Sequence, residues 1–261
     1  MTKDNWNGTL VSCPRSLITS RKNLEEFNRP GVYILLGPKD DVVQRIYIGE
    51  GDPTIDRLIE HNAKKDFWTT VVCCTTSANH GLHKAEIQYL ESRLCKIAAE
   101  LKIADLENRN APQTPSLSQA EVAKVESYLT TFLELAPLMG IDAFERPEAG
   151  SAASNSLFIK NGHISAEGYV TAQGFLVKKD SEATKTDTPS LLSSSKKLRA
   201  HLMENGVLVP AGEKLVFAQD YMFRAPSPAA EVILGRSENG RRIWKDKDGK
   251  TLADLQEAMK Q

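Results

Sequence analysis

Long apolar runs and an excess of charge of either sign are both missing from this chain of 261 residues. No stretch approaches the roughly 18 apolar residues that a membrane-spanning helix needs, so we expect no membrane span. The 33 basic and 34 acidic residues nearly balance, which excludes a histone-like nucleic-acid coat but leaves room for a local basic cleft. The first ten residues are polar, unlike a secretory signal peptide, and we therefore expect a cytoplasmic protein.

Cysteine is also scarce, with four residues in the whole chain. That number is too small for a disulfide scaffold at this length, so reduced, buried thiols are the favoured interpretation. The alternative is a zinc site made by Cys73, Cys74, His80 and His83. These residues lack a Cys-x-x-Cys pair, and adjacent cysteines on a strand point to opposite faces, which argues against zinc.

Changes in composition divide the chain. Residues 145–156 and 181–190 are small, polar and without periodicity, which predicts loops or linkers. Residues 108–117 carry two prolines and end a helical pattern. The predicted parts are an N-terminal extension (1–28), a mixed α and β domain (29–112), a helical connector (113–150) and a C-terminal α+β accessory domain (151–261). Acidic residues exceed basic ones by 6 to 2 in the connector, and basic residues exceed acidic ones by 16 to 13 in the accessory domain.

Within residues 29–112, the pattern predicts a small three-stranded antiparallel sheet flanked by helices. Gly31–Leu36 and Arg45–Gly49 are rich in β-branched and aromatic residues, and the segment between them begins with turn residues. Such a pair predicts an antiparallel hairpin. Trp68–Thr76 has the same composition and predicts the third strand.

Two helices are expected in the same domain. Asp52-Pro53 offers an N-cap followed by proline at the first helical position, which predicts the start of the first helix. Apolar residues recur at helical spacing over residues 83–101 and predict a longer helix that packs across the sheet. In the connector, Ser118 and Glu121 form a capping box that predicts another helix.

Five polar residues stand out against these elements. The first strand carries Gly-Val-Tyr, ending at Tyr33, and the second carries Tyr-Ile-Gly, beginning at Tyr47. Arg57 and His61 lie four residues apart, on one helix face that is not the apolar one. Glu91 lies on the long helix. Their order and spacing resemble the GIY-YIG nuclease superfamily over roughly residues 29–111, with valine in place of isoleucine in the first motif.

The resemblance implies a metal-dependent endonuclease that hydrolyses phosphodiester bonds, with DNA as the favoured substrate. Glu91 would hold one Mg²⁺ or Mn²⁺ ion, and Arg57 would neutralise the phosphate. Tyr33 would remove a proton from the attacking water, and Tyr47 would position water or phosphate. A free tyrosine is a poor base at neutral pH, so Arg57, the metal and a hydrogen bond to His61 would have to perturb the pKa of Tyr33.

Two residue assignments have rivals. Glu86 flanks the apolar stripe of the long helix on the side opposite Glu91, so periodicity does not choose between them. The similarity of residues 89–92 to the family's helix motif favours Glu91. The family often carries an asparagine after this helix, and Asn108 and Asn110 both lie in that region, with Asn110 favoured.

Nucleic acid, DNA in the first instance, is the expected partner; no membrane partner is expected, and the sequence singles out no protein partner. Lys64 and Lys65 could bind backbone phosphate, or could simply be a solvated basic pair. The alternative functions are a nucleic-acid-binding or protein-interaction module with little turnover, and a nuclease that acts on RNA or single-stranded DNA.

The C-terminal block resembles DUF4357, a domain of unknown function often attached to this type of nuclease, at about residues 190–258. The resemblance rests on Phe223–Gly235, residues 237–240, Trp244 and residues 249–252. Asn239-Gly240 predicts a hairpin turn, surrounded by Arg236, Arg241, Arg242, Lys245 and Lys247. These cations could form a nucleic-acid or partner surface, although a solvated hairpin is the favoured interpretation.

Overall fold

The computed structural model describes residues 1–4, 6–38, 43–76, 81–145, 156–172 and 174–258. The chain is a mixed α+β protein, as predicted, and divides into two compact units, Met1–Glu145 and Arg146–Gln261. Most of the predicted linker at 145–156 lies outside the described residues. In the part of the chain that is described, no helix combines the length and the apolar character needed to cross a membrane.

The first unit contains a five-stranded sheet in the order β1-β4-β2-β3-β5. Its strands are β1 (Gly8–Pro14), β2 (Gly31–Leu36), β3 (Arg45–Gly51), β4 (Thr70–Thr76) and β5 (Asp105–Leu106). The prediction of three strands is therefore wrong, and β1 lies within the predicted N-terminal extension, residues 1–28. β1 pairs antiparallel with β4 along its whole length, and β5 pairs parallel with the start of β3.

Helices cover both faces of this sheet. They are α1 (Thr54–Lys64), α2 (Lys84–Leu101) and α3 (Gln119–Leu135), with short 3₁₀ turns at Arg15–Leu17, Glu25–Asn28 and Pro137–Met139. Successive residues of β2 point to opposite faces, so Ile34 packs with the residues of α2 and α3, whereas Leu35 packs with those of α1. The predicted connector therefore completes the core of the first unit, because α3 buries Val125, Leu129 and Phe132 against it.

Two of the cysteines illustrate this alternation. Cys74 packs in the core beneath α2 and α3, and its neighbour Cys73 packs in the opposite core beneath α1. The Cys74 sulfur lies 3.1 Å from the hydroxyl of Tyr128, and burial raises the pKa of the Cys74 thiol to about 12. Thiols on opposite faces of a sheet cannot share one ion, so the zinc alternative is wrong for this pair; His80 lies outside the described residues.

The second unit has two small sheets. One has the order β12-β8-β7-β6 and the other β10-β11-β9. The strands are β6 (Leu157–Asn161), β7 (Ile164–Val170), β8 (Phe175–Val177), β9 (Glu182–Thr184), β10 (Leu208–Ala211), β11 (Lys214–Phe217) and β12 (Tyr221–Phe223). The helices are α4 (Ser193–Glu204), α5 (Pro226–Leu234), α6 (Gly240–Ile243) and α7 (Leu252–Ala258).

The predicted hairpin turn at Asn239-Gly240 is instead the start of α6. The Asn239 side chain accepts a hydrogen bond from the Arg241 backbone N–H, as an N-cap does. A Cβ atom at Gly240 would collide with the backbone of Pro226, so the close packing of α6 on the start of α5 requires glycine there. Trp244, just after α6, is fully buried, and its indole N–H donates to the Pro226 carbonyl.

Candidate active site

The two motif tyrosines lie on the α1 side of the sheet. In the β2–β3 register Tyr33 is opposite Gly49 and Leu35 is opposite Tyr47. Residues opposite each other share a face, so both tyrosines project toward α1. Their ring centroids are 6.4 Å apart. The hairpin thus brings together two side chains that lie fourteen positions apart in the chain.

Gly49 matters because the ring of Tyr33 lies directly over it. A Cβ atom at this position would collide with the hydroxyl oxygen and Cζ of Tyr33. The glycine of Tyr-Ile-Gly therefore leaves the space in which the phenol of the other motif sits.

Replacing Gly49 by alanine should displace the Tyr33 ring. We expect a destabilisation of about 1–3 kcal/mol from overpacking. Thermal unfolding measures the effect. Gly81→Ala is the matched control, since a Cβ there meets its nearest atom, Thr76 Oγ1, at 3.7 Å. An equal response of the two variants would contradict the steric role of Gly49.

His61 closes the site from α1. Its Nε2 lies 2.8 Å from the hydroxyl of Tyr33, and its ring meets the edge of Tyr47 at a centroid distance of 4.9 Å. Burial lowers the pKa of His61 to about 4, and the positive charges of Lys65 and Arg57 act in the same direction. The imidazole is therefore neutral at pH 7, and in one tautomer its Nε2 can accept the phenolic proton.

The pKa of Tyr33 moves opposite to the sequence-based expectation. Burial is the main cause and raises it, and the neighbouring Tyr47 and Glu91 also raise it; the opposing charge of Arg57 is not enough to reverse the shift. The phenol is thus protonated in the resting protein. The expectation was wrong because it counted the cation beside Tyr33 but not the loss of water around a ring that is 1% exposed.

Arg57 lies one helical turn before His61, with its guanidinium half exposed. Its Nη1 is 2.8 Å from Oε2 of Glu60, whose other oxygen pairs with Lys64 at 2.9 Å. Lys64 is therefore paired with the same carboxylate as Arg57. Lys65, in contrast, places its Nζ 4.2 Å from the centroid of the Tyr47 ring, so it adds a cation to the site.

Glu91 reaches the same site from α2. Its carboxylate is half-buried and forms no ion pair with any described residue. Burial raises the pKa of Glu91 to about 7, and the negative charge of Glu50 adds to the shift. The charges of Lys84 and Arg57 and a hydrogen bond from the Glu50 backbone N–H act in the opposite direction. The charge of Glu91 in turn raises the pKa of both Tyr33 and Tyr47. A half-buried carboxylate without an ion-pair partner among the described residues is well suited to a cation.

The sequence did not single out Glu50 or Lys84 as residues near the candidate site. Glu50 directly follows Tyr-Ile-Gly, and both of its oxygens contact the Lys84 ammonium, at 2.8 and 2.6 Å. The position of Glu50 next to a motif was the available signal. Nothing in the spacing pairs it with Lys84, which lies 34 residues away and joins it only through the packing of α2 against β3.

The alternative carboxylate, Glu86, makes structural contacts at the start of α2. It is 1% exposed, accepts the His83 backbone N–H at the start of α2, and binds the Lys124 ammonium at 2.8 and 3.0 Å. Its charge is thereby satisfied away from the tyrosines. The structure therefore favours Glu91 over Glu86 as the site carboxylate.

Asn108, rather than Asn110, lies against the motif strand. β5 pairs only with the start of β3, and beyond it the Asn108 side-chain amide continues the pairing. It accepts the Ile48 N–H at 2.9 Å and donates to the Ile48 carbonyl at 2.7 Å. Asn110, favoured from the sequence, is exposed. Asn108 thus holds the residue between Tyr47 and Gly49 and positions both.

The available donors fit an open metal site and not a closed one. Among the residues that the structure describes, no three His, Cys, Asp or Glu side chains are grouped to hold a metal ion. Mg²⁺ typically keeps several waters and takes one or two protein carboxylates together with substrate phosphates. The carboxylate of Glu91, which forms no ion pair with a described residue, fits that mode of binding.

The comparisons with known proteins concern the second unit. No curated protein and no solved structure matches the chain. Residues 157–256 match the family described as a domain of unknown function, DUF4357, so the match begins well before the predicted start near residue 190. Residues 157–256 are therefore a DUF4357 domain.

Proposed function

We propose that the first unit is a metal-dependent endonuclease that hydrolyses phosphodiester bonds in DNA. The observation that carries the proposal is the contact of Tyr33 and Tyr47 with His61, together with Arg57 and Glu91, whose charges act on both tyrosines. A protein that only bound nucleic acid would have no use for a half-buried carboxylate whose charge acts on two tyrosines.

The charged residues would each have a separate role at the phosphate. Glu91 would hold one Mg²⁺ or Mn²⁺ ion, which supplies Lewis acidity and lowers the pKa of a bound water. Arg57, half exposed and reaching the site from α1, would bind the nonbridging phosphate oxygens through its planar fork. Lys65 would add a further positive charge beside Tyr47.

The proton would leave the attacking water through the pair of Tyr33 and His61. The phenol is protonated at rest, so it cannot take a proton without giving one up. Neutral His61, 2.8 Å away, can receive the phenolic proton at Nε2 as the phenol oxygen takes one from the water. Tyr47 would orient the water or the phosphate, and Asn108 would keep both motif residues of β3 in place.

The test is nicking of supercoiled plasmid by the purified full chain with Mg²⁺ or Mn²⁺, in the presence and absence of EDTA. We expect relaxed circles that depend on the metal, and we expect Arg57→Ala to slow their formation by at least about 10²-fold, the usual cost of removing a group that stabilises transition-state charge. Arg45→Ala is the matched control, because Arg45 also pairs with carboxylates, Asp105 and Glu107, but at the far end of β3.

Two results would overturn the proposal. One is the absence of nicking with either metal on duplex, single-stranded and branched DNA. The other is cleavage by Arg57→Ala at the rate of the unaltered chain, which would assign the activity to a contaminant. Cleavage confined to RNA would retain the chemistry and replace the substrate.

A further inference from the structure

One face of the DUF4357 domain combines an aromatic ring with several cations. Lys245 forms a bridge with Phe158 of β6 on one side and with Thr251 on the other. Side chains at paired positions of a sheet share a face, so Phe158, Lys245 and Thr251 project together. Their sequence neighbours Leu157, Trp244 and Leu252 are buried. Phe158 is itself half-buried, with part of its surface on the outward side.

Further cations lie on β6 or within five residues of Lys245 in the chain. Lys160, two positions along β6 from Phe158, is on the same face and exposed. Arg241 and Arg242 on α6, with Lys247 and Lys250 in the following turn, are exposed as well. We call these residues together with Phe158 and Lys245 the basic face.

Two carboxylates near the basic face, those of Asp246 and Asp254, accept hydrogen bonds from neighbouring residues of the chain. Asp246 accepts the N–H groups of Asp248 and Lys250, and Asp254 accepts the N–H and hydroxyl of Thr251. No cation of the basic face forms an ion pair with a carboxylate in the described part of the chain. Elsewhere in the unit, four cations are each paired with a carboxylate: Lys178, Arg199, Lys214 and Arg236.

We propose that the basic face binds nucleic acid, with its cations on the backbone phosphates and the ring of Phe158 stacked on an unpaired base. Exposed, unneutralised Lys and Arg side chains bind phosphates regardless of sequence. An aromatic ring among them is the arrangement used to hold single strands, because every base presents a flat face. Since the proposal builds on the nuclease function of the first unit, this face gives the enzyme a second contact with its substrate.

Binding of fluorescein-labelled oligonucleotides to the full chain tests the proposal. The readout is fluorescence anisotropy in EDTA, between about 50 and 200 mM salt, so that no cleavage is required. The triple variant Arg241→Ala/Arg242→Ala/Lys245→Ala should bind single strands at least about 10-fold more weakly at low salt, and the slope of log K against log salt should fall by roughly 2. Phe158→Leu keeps the packing but removes the π face, and it should weaken single strands about 5-fold or more while leaving duplex binding unchanged.

The matched control is Lys196→Ala/Lys197→Ala, which removes two exposed cations from α4 of the same unit. Unchanged affinity in the triple variant, or an equal loss in the control, would overturn the proposal. Because binding is measured without metal, a chain that binds through this face but never nicks DNA would refute the nuclease proposal alone. A chain that nicks DNA but is indifferent to the triple substitution would refute this proposal alone.

Discussion

Glu91→Gln should abolish cleavage and, at the same time, make the folded first unit more stable at neutral pH. The amide keeps the size of the side chain but loses the charge that would hold the divalent cation. Losing metal-based catalysis removes several kcal/mol of transition-state stabilisation, so we expect roughly a 10⁴-fold loss of nicking.

The gain in stability follows from the pKa of Glu91. Burial raises it from 4.5 to about 7 in the folded protein. A raised carboxyl pKa means that the folded state binds the proton more tightly than the unfolded chain does. The associated stability is present below pH 4.5 and is lost as the pH rises through 7. A glutamine side chain carries no charge at any pH, so Glu91→Gln does not lose this stability. Near pH 8 its free energy of unfolding should exceed that of the unaltered chain by about 1 kcal/mol, a value reduced for the partial exposure of the side chain.

Thermal unfolding at about pH 5 and pH 8, on either side of the raised pKa, measures this effect. The Tm of Glu91→Gln should exceed that of the unaltered chain by about 2–4 °C at the higher pH and by less at the lower one. Added Mn²⁺ should raise the Tm of the unaltered chain only, because ligands that bind the folded state stabilise it.

Glu86→Gln is the matched control. It loosens the Lys124 pair and the start of α2, so it should lower Tm and leave nicking in place. The reverse pattern in these two variants would move the metal to Glu86.

Tyr33→Phe should reduce turnover by about 10³-fold, within the range for loss of a group that transfers a proton. The ring still fills its place over Gly49, and only the hydroxyl that meets His61 Nε2 is removed. DNA affinity should therefore change little while the catalytic rate falls. Single-turnover nicking at saturating protein separates the two quantities.

Two further tyrosine variants make the Tyr33 result specific. Tyr47→Phe should cost less, since its hydroxyl would orient the water or phosphate without carrying the proton. Tyr128→Phe removes a buried hydroxyl that donates to the Thr75 carbonyl, and Tyr128 packs on the face of the sheet opposite Tyr33, so it should lower stability and leave turnover unchanged. If Tyr33→Phe kept full turnover while Tyr47→Phe lost it, the proton path through His61 would be wrong.

The sequence predicted what depends on local periodicity. The β2–β3 hairpin and the extent of α2 agree with the pattern because β-branched runs and helical apolar spacing are strong local signals. β1 and β5 were missed for different reasons. β1 lies in a segment that reads as polar, and β5 is a parallel pairing of two residues, too short for any periodicity.

In the candidate site, too, the sequence shows some features and not others. Its five principal residues could be selected by order and spacing, but their electrostatics could not. The shifts of Tyr33, His61 and Glu91 come from burial, which is a property of the packed site. Likewise, the two hydrogen bonds between the Asn108 side chain and the Ile48 backbone form because β5 ends just before Asn108. Spacing along the sequence does not show where β5 ends, and it favoured Asn110.

The participation of β1 in the sheet bears on how the chain can be divided for study. β1 covers the outer edge of β4 from Thr70 to Thr76. A fragment started at the first motif would leave those backbone groups unpaired beside a hydrophobic core, and bare edges of this kind recruit strands from other molecules. The amino-terminal stretch therefore completes the sheet beside β4, and the smallest folded piece that carries both motifs should include it.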